Sequence, residues 1–165
     1  MTGGSARDRD PEFIRAKQIV FRLLKYRLRS QHEIQAKLLA KNISGTVCTE
    51  IIRYFVATGL LNDMLFTRAW IASRLKKPLG LRRIHQELKA KGIDEDIIAD
   101  ETQRALGEYD EIVTIRNLAR RRLRQYRGLN RLKVRQRLYA YLIRRGFSSD
   151  LIFKVLREMN SHDRE

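Results

Sequence analysis

Residues 91–94 read KGID, and the chain writes the same phrase twice more with changes, as KNIS at residues 41–44 and RGFS at residues 145–148. The pattern is that of a corner between two helices. Gly92, Gly146 and Asn42 are residue types that accept the left-handed backbone on which helices commonly end. Ile93, Phe147 and Ile43 can fold back onto the last turn of the finished helix. Asp94, Ser148 and Ser44 carry oxygens that accept hydrogen bonds from the free N–H groups of the next helix.

Outward from each corner the agreement continues. Ile34 and Leu38, Ile84 and Leu88, and Leu138 and Leu142 stand at helical spacing and at matched distances upstream. Downstream, Val47, Ile97 and Leu151 occupy equivalent places. The intervals, 50 residues from Ile43 to Ile93 and 54 from Ile93 to Phe147, leave room for three short helices per unit.

Further boundary signals divide the chain in the same way. Gly59 and Gly107 are expected to close the last helix of a unit, and Asn62, Asp63 and Asp110 to open the next. Ser30 and Glu33 have capping-box spacing. The expected helices run over 12–28, 31–41, 46–58, 64–77, 81–91, 95–106, 111–126, 130–145 and 149–159. Pro78 and Gly80 separate the fourth and fifth helices. The third unit has no proline at the equivalent place, only Gly128 and Asn130, so a long, bent helix is expected there.

The reading is an all-α protein of three tandem three-helix repeats, residues 12–61, 62–110 and 111–160, after a disordered tail over 1–11. Units that touch mainly their neighbours predict an elongated, curved body. Composition agrees, since 33% charged residues and only 2 prolines suit a helical chain.

A formal net charge of +16 and a pI near 10.6 imply a negative partner. The charge is polarised along the chain. Residues 11–61 hold 9 basic and 3 acidic residues, residues 62–110 hold 9 of each, and residues 111–160 hold 14 and 3. In the third unit Arg116, Arg120, Arg124, Arg127 and Arg131 recur every three or four residues and form a stripe, while Ile112, Ile115, Ala119 and Tyr126 form an apolar one. Like charges at that spacing repel, which points to a binding face. Arg74, Lys76, Lys77, Arg82 and Arg83 cluster at the first turn of the middle unit, and Arg144 and Arg145 sit at the third corner.

Several function classes are excluded or disfavoured. The chain has no Gly-Lys-Ser/Thr phosphate loop and no metal-ligand spacing, and His32, His85 and His162 are scattered. No catalytic residue, cofactor or metal is expected. Trp70 is expected in the core rather than as a base-stacking platform. Cys48, the only cysteine, permits no internal disulfide and is expected as a buried thiol. No stretch approaches the ~18 apolar residues of a membrane span, and the polar start MTGGSARDRD lacks a signal core. A cytoplasmic monomer without membrane contact is expected.

Four segments, RSQHEIQAKL at 29–38, GLLND at 59–63 with FTRAWIASRL at 66–75, GLRRIHQELKAKGID at 80–94 and LYAYLIRRGFSSDLI at 138–152, resemble the RecX regulatory proteins, modulators of the RecA recombinase. Gly80, Arg83, Ile84, Glu87, Leu88, Lys91, Gly92 and Ile93 stand in that family's order and spacing. Asn42 departs from it, where glycine is usual, and NDMLF is a looser form of its acidic turn. The resemblance implies tandem three-helix repeats that bind along the groove of the RecA filament on single-stranded DNA. It further implies inhibition of ATP hydrolysis, strand exchange and SOS repressor cleavage. Single-stranded or double-stranded DNA could also be contacted directly, and the rival reading is a free-standing helix-turn-helix-like DNA-binding protein.

Overall fold

The computed structural model describes residues 10–105, 107, 109–126 and 128–162, with side chains described as far as Met159. Among the described residues there are nine α-helices and no strand. They are α1 (Pro11–Tyr26), α2 (Gln31–Leu39), α3 (Gly45–Ala57), α4 (Asp63–Leu75), α5 (Leu81–Lys89), α6 (Glu95–Ala105), α7 (Glu111–Leu123), α8 (Arg131–Arg144) and α9 (Ser149–His162). Asp10 caps α1 through Glu12 N at 2.9 Å, so the last two residues of the expected tail belong to a helix start. Residues 1–9 lie outside the described residues.

The three corners are one structure made three times. Asn42, Gly92 and Gly146 take φ of 57°, 70° and 87°. Ile43, Ile93 and Phe147 each donate from the backbone to the carbonyl five residues back, that of Leu38, Leu88 or Leu142, at 3.1, 3.2 and 3.3 Å. The residue before each donates to Leu39, Lys89 or Ile143. Together these form the Schellman pattern, which satisfies carbonyls the helix end leaves free. Because these bonds take up residues 40–41 and 90–91, α2 and α5 stop two residues short of the expected ends. Ser44, Asp94 and Ser148 accept from Val47 N, Asp96 N and Leu151 N, as cap chemistry requires.

Val47, Ile97 and Leu151 stand at equivalent places after the corners, Val47 buried and the other two half-buried, and the residue that follows each, Cys48, Ile98 or Ile152, is fully buried. Two local expectations need correction. Gly107 does not adopt a positive φ, and α6 ends at Ala105. No bent helix joins α7 to α8. A 3-10 turn at Arg124–Tyr126 closes α7, Gly128 turns with φ 83°, and the Asn130 side chain accepts from Leu132 N at 2.7 Å to start α8.

Contacts divide the described chain into two units, one reaching to Ala69 and including Leu88–Ile98, the other comprising Trp70–Glu87 and the part from Ala99 onward. Their boundaries fall inside α4, α5 and α6. In the first unit α1, α2 and α3 enclose a core that includes Phe13, Val20, Ile34, Leu38, Ile51 and Phe55. In the second, α7, α8 and α9 enclose Ile115, Leu138, Leu142, Phe147, Ile152 and Val155.

Each unit also holds a corner docked on the start of a helix from the preceding repeat. In the first unit the Ser30 hydroxyl, which caps α2, donates to the Lys91 carbonyl at 2.7 Å. Asp63, opening α4, accepts from Gln31 N at 2.9 Å. The second unit repeats this one unit later, with Gly80 N donating to the Arg145 carbonyl at 2.9 Å and Leu81 N to Glu111, which opens α7, at 2.9 Å. Burial pushes the carboxyls of Asp63 and Glu111 up, against the pull of these N–H bonds.

The docking leaves no room for side chains on the glycines. A β-carbon on Gly92 would lie 2.5 Å from His32 Cβ, and one on Gly146 would lie 2.3 Å from Arg83 Cβ. At Asn42 the side chain is exposed. There the equivalent carbonyl, of Lys41, accepts from the Arg15 guanidinium at 3.2 Å instead. Asparagine is tolerated where only the backbone angle matters.

Glycine is therefore needed for two separable reasons. Gly59→Ala, at φ 71° with open space around it, is expected to cost only the backbone term, about 1–2 kcal/mol. Gly92→Ala should cost about 1–3 kcal/mol more, because His32 must be displaced. Urea unfolding of the two variants measures the difference, and equal losses would show that the docking is loose.

Glu33 gives a second prediction. It accepts from Arg27 Nη2 and Lys91 Nζ, both at 2.9 Å. Burial alone would raise its carboxyl, but the hydrogen bonds and charges of Arg27 and Lys91 hold it down at about 2. Since the ordinary value is about 4.3, the lowered folded value makes the contribution complete above that pH and lost as pH falls toward 2. The stability gap between wild type and Glu33→Gln should be widest at neutral pH and shrink through that window. Unfolding midpoints across the acid range check it, and a constant gap would count against the assignment.

Candidate anion-binding interface

Helix α7 packs Ile115, Leu118 and Ala119 inward, which turns Arg120 outward, while Arg124 is exposed in the 3-10 turn that follows. Neither makes an ion pair among the described residues. Arg131, at the start of α8, is exposed as well. Arg116 differs, because it is half-buried and donates through Nη2 to Glu158 at 2.9 Å. Arg127 lies outside the described residues. Among the described members of the arginine stripe, Arg120, Arg124 and Arg131 are exposed without an ion pair, while Arg116 is committed to Glu158 on α9.

The basic cluster of the middle repeat is organised by Glu87. Its Oε2 accepts from Arg74 Nε at 2.6 Å and from Trp70 Nε1 at 3.1 Å, and its Oε1 accepts from Arg83 Nε at 3.3 Å. The Arg74 guanidinium lies 4.3 Å from the Trp70 ring centre. Burial pushes the Glu87 carboxyl up, but the bonds from Arg74, Arg83 and Trp70 outweigh it and the net shift is down. Trp70 is half-buried and committed to this cluster. Lys76 and Arg82 are exposed without ion pairs among the described residues.

Arg144 and Arg145 complete the constellation. Arg145 Nη1 donates to the Pro78 carbonyl at 3.0 Å, and Arg83 Nη1 to the Arg144 carbonyl at 3.3 Å. A cavity of about 400 Å³ opens among Arg74, Lys77, Leu79, Arg83, Glu87, Tyr141, Arg144 and Arg145. The Tyr141 ring has two guanidiniums near it, Arg122 at 4.8 Å and Arg145 at 5.0 Å. The docking of the third corner on α5 therefore brings together five of the twelve residues expected from charge alone.

Glu87, Tyr141 and Arg122 were not expected at the site. The signal for Glu87 and Tyr141 was in the spacing, since Arg83 and Glu87, and Tyr141 and Arg145, are separated by four residues, as are Trp70 and Arg74. Cys48 is fully buried with its sulfur 3.7 Å from the Ile43 carbonyl, and burial raises its thiol. Among the described residues no group of three or more His, Cys, Asp and Glu could hold a metal. No helix among them is long and apolar enough to cross a membrane.

Comparison with known proteins gives a consistent picture. Family models described as the first, second and third three-helix domains of RecX match residues 16–55, 62–100 and 108–156. The chain is 34% identical over 158 residues to a protein of Thermobifida fusca named Regulatory protein RecX, covering 94% of this chain and 84% of that one. A relative of the same name from Streptomyces coelicolor is 34% identical over 151 residues, covering 91% and 79%. A crystal structure of RecX from Lactobacillus salivarius shares the fold with a TM-score of 0.77, at 24% identity, over 90% of this chain and 97% of that one.

Proposed function

Because this chain belongs to the RecX family, we propose that it binds the RecA filament on single-stranded DNA, along the filament's groove, and inhibits RecA. The observation that carries this reading is the match of all three RecX domains in order along one chain. The inhibited activities are RecA's ATP hydrolysis, strand exchange and repressor cleavage in the SOS response, so the protein modulates recombinational repair in the cytoplasm. It acts as a monomer and as a regulator, not an enzyme. Its three repeats are residues 12–61, 62–110 and 111–160.

Exposed cations support an electrostatic approach to the filament. Arg82, Arg120, Arg124, Arg131 and Arg144 are exposed, and the third repeat carries 14 basic residues against 3 acidic ones. Such a surface meets acidic protein lobes and DNA phosphates alike, and it speeds encounter with either.

With RecA and single-stranded DNA present, substoichiometric protein should slow ATP hydrolysis by more than competition for DNA allows. If added single-stranded DNA fully relieves the effect, a free-standing DNA-binding protein is the better description. Reversing Arg120 and Arg124 to glutamate should weaken filament binding and flatten its dependence on salt. Anisotropy or light-scattering titrations over a salt series measure this, and an unchanged slope would remove α7 from the interface.

A further inference from the structure

The cavity of about 400 Å³ on the second unit is built differently from the rest of the basic surface. Three of its guanidiniums are held in place. Arg74 and Arg83 are fixed through Nε to Glu87, and Arg145 through Nη1 to the Pro78 carbonyl. Each fixed guanidinium still has donors to offer, since the group carries five N–H bonds in a rigid plane. Lys77 and Arg144 also line the cavity, are exposed and make no ion pair among the described residues. Two exposed cations beside three fixed ones suit the binding of an anion, with much of the ordering cost already met by the fixed three.

We infer that this cavity is a phosphodiester site that takes a backbone phosphate, with its sugar, of single-stranded DNA. Five cations face one carboxylate, Glu87, which is already bonded to two of them. The remaining positive charge exceeds what one carboxylate or one phosphodiester would neutralise, so it suits a strand that brings neighbouring phosphates to the same surface. Nor is a lone carboxylate a match for the volume, which falls in the range of roughly 300–1000 Å³ typical of small-molecule sites. Lys76 and Arg82, exposed and next in sequence to two lining residues, extend the charge beyond the cavity. That extension fits a polymer with a charge at every step. Tyr141 supplies an aromatic wall beside the guanidiniums, the combination that single-strand sites use. The inference rests on the reading that the partner carries single-stranded DNA.

The test uses the full chain without RecA and a fluorescein-labelled oligodeoxythymidine, with anisotropy followed over a salt series. Wild type should bind, and Lys77→Ala with Arg144→Ala should weaken binding about tenfold. The log–log salt slope should fall by about 0.7 for each phosphate that is no longer neutralised. Lys37→Ala, an exposed lysine of α2, should bind as wild type does, and unfolding midpoints check that each variant is folded.

No binding by wild type, equal binding and slope in the double variant, or an equal loss in Lys37→Ala would each overturn the site. Loss of RecA inhibition by the double variant with oligonucleotide binding intact would assign the cavity to protein carboxylates and overturn the phosphodiester. If wild type binds DNA through the cavity yet fails to slow RecA's ATP hydrolysis, the filament reading falls and the phosphate site stands.

Discussion

The structure depends on the close approach of a corner to a helix start. A hydrogen bond to the carbonyl before each corner glycine requires that approach, at 2.7 Å from Ser30 and 2.9 Å from Gly80. A side chain on either glycine would prevent it. The contact satisfies a carbonyl at the end of one helix, from the Ser30 hydroxyl in the first unit and from the Gly80 N–H in the second. Asp63 and Glu111 complete it from the first residue of the following repeat. Once that geometry is fixed, the apolar faces of the flanking helices have little freedom in how they pack.

The same contact explains why charge totals understate the middle repeat. Its basic and acidic residues balance, yet much of the acid is engaged in building the fold. Asp63 serves α2, Asp94 starts α6, Glu101 is buried and bonded to Arg104, and Glu87 orients Arg74 and Arg83. The exposed acids Asp94, Glu95, Asp96 and Asp100 belong to the second corner and α6, while the exposed bases Lys76, Lys77 and Arg82 belong to the end of α4 and the start of α5. A repeat neutral by composition can still present a positive surface.

The corners are legible in sequence because cap chemistry is local. A glycine, an apolar residue and a short polar residue in order specify three backbone decisions without reference to the rest of the chain. The apolar pairs upstream are legible for the same reason, and all six residues are buried. The partner of each charged group is not legible in this way. Arg116 and Arg120 look alike on a helical wheel, and only the position of Glu158 on α9 distinguishes them. The junction after α7 departs from the expected bent helix because a proline is not required to end one, and the positive φ of Gly128 does so just as firmly. The cavity depends on bringing residues 74–87 to residues 141–145, a long-range fact that spacing within one helix can only hint at.

The long reach of the caps bears on how the chain acquires its structure as it is made. When α2 emerges from the ribosome, its first N–H has no acidic partner until Asp63, 32 residues later, and the hydroxyl of Ser30 waits for a carbonyl 61 residues later. At about 5–20 residues per second, that is a delay of roughly 3–12 s. The nascent first repeat therefore spends seconds with an unfinished edge, which the corner at Lys91–Gly92 closes. Synthesis of each later repeat completes the one before it.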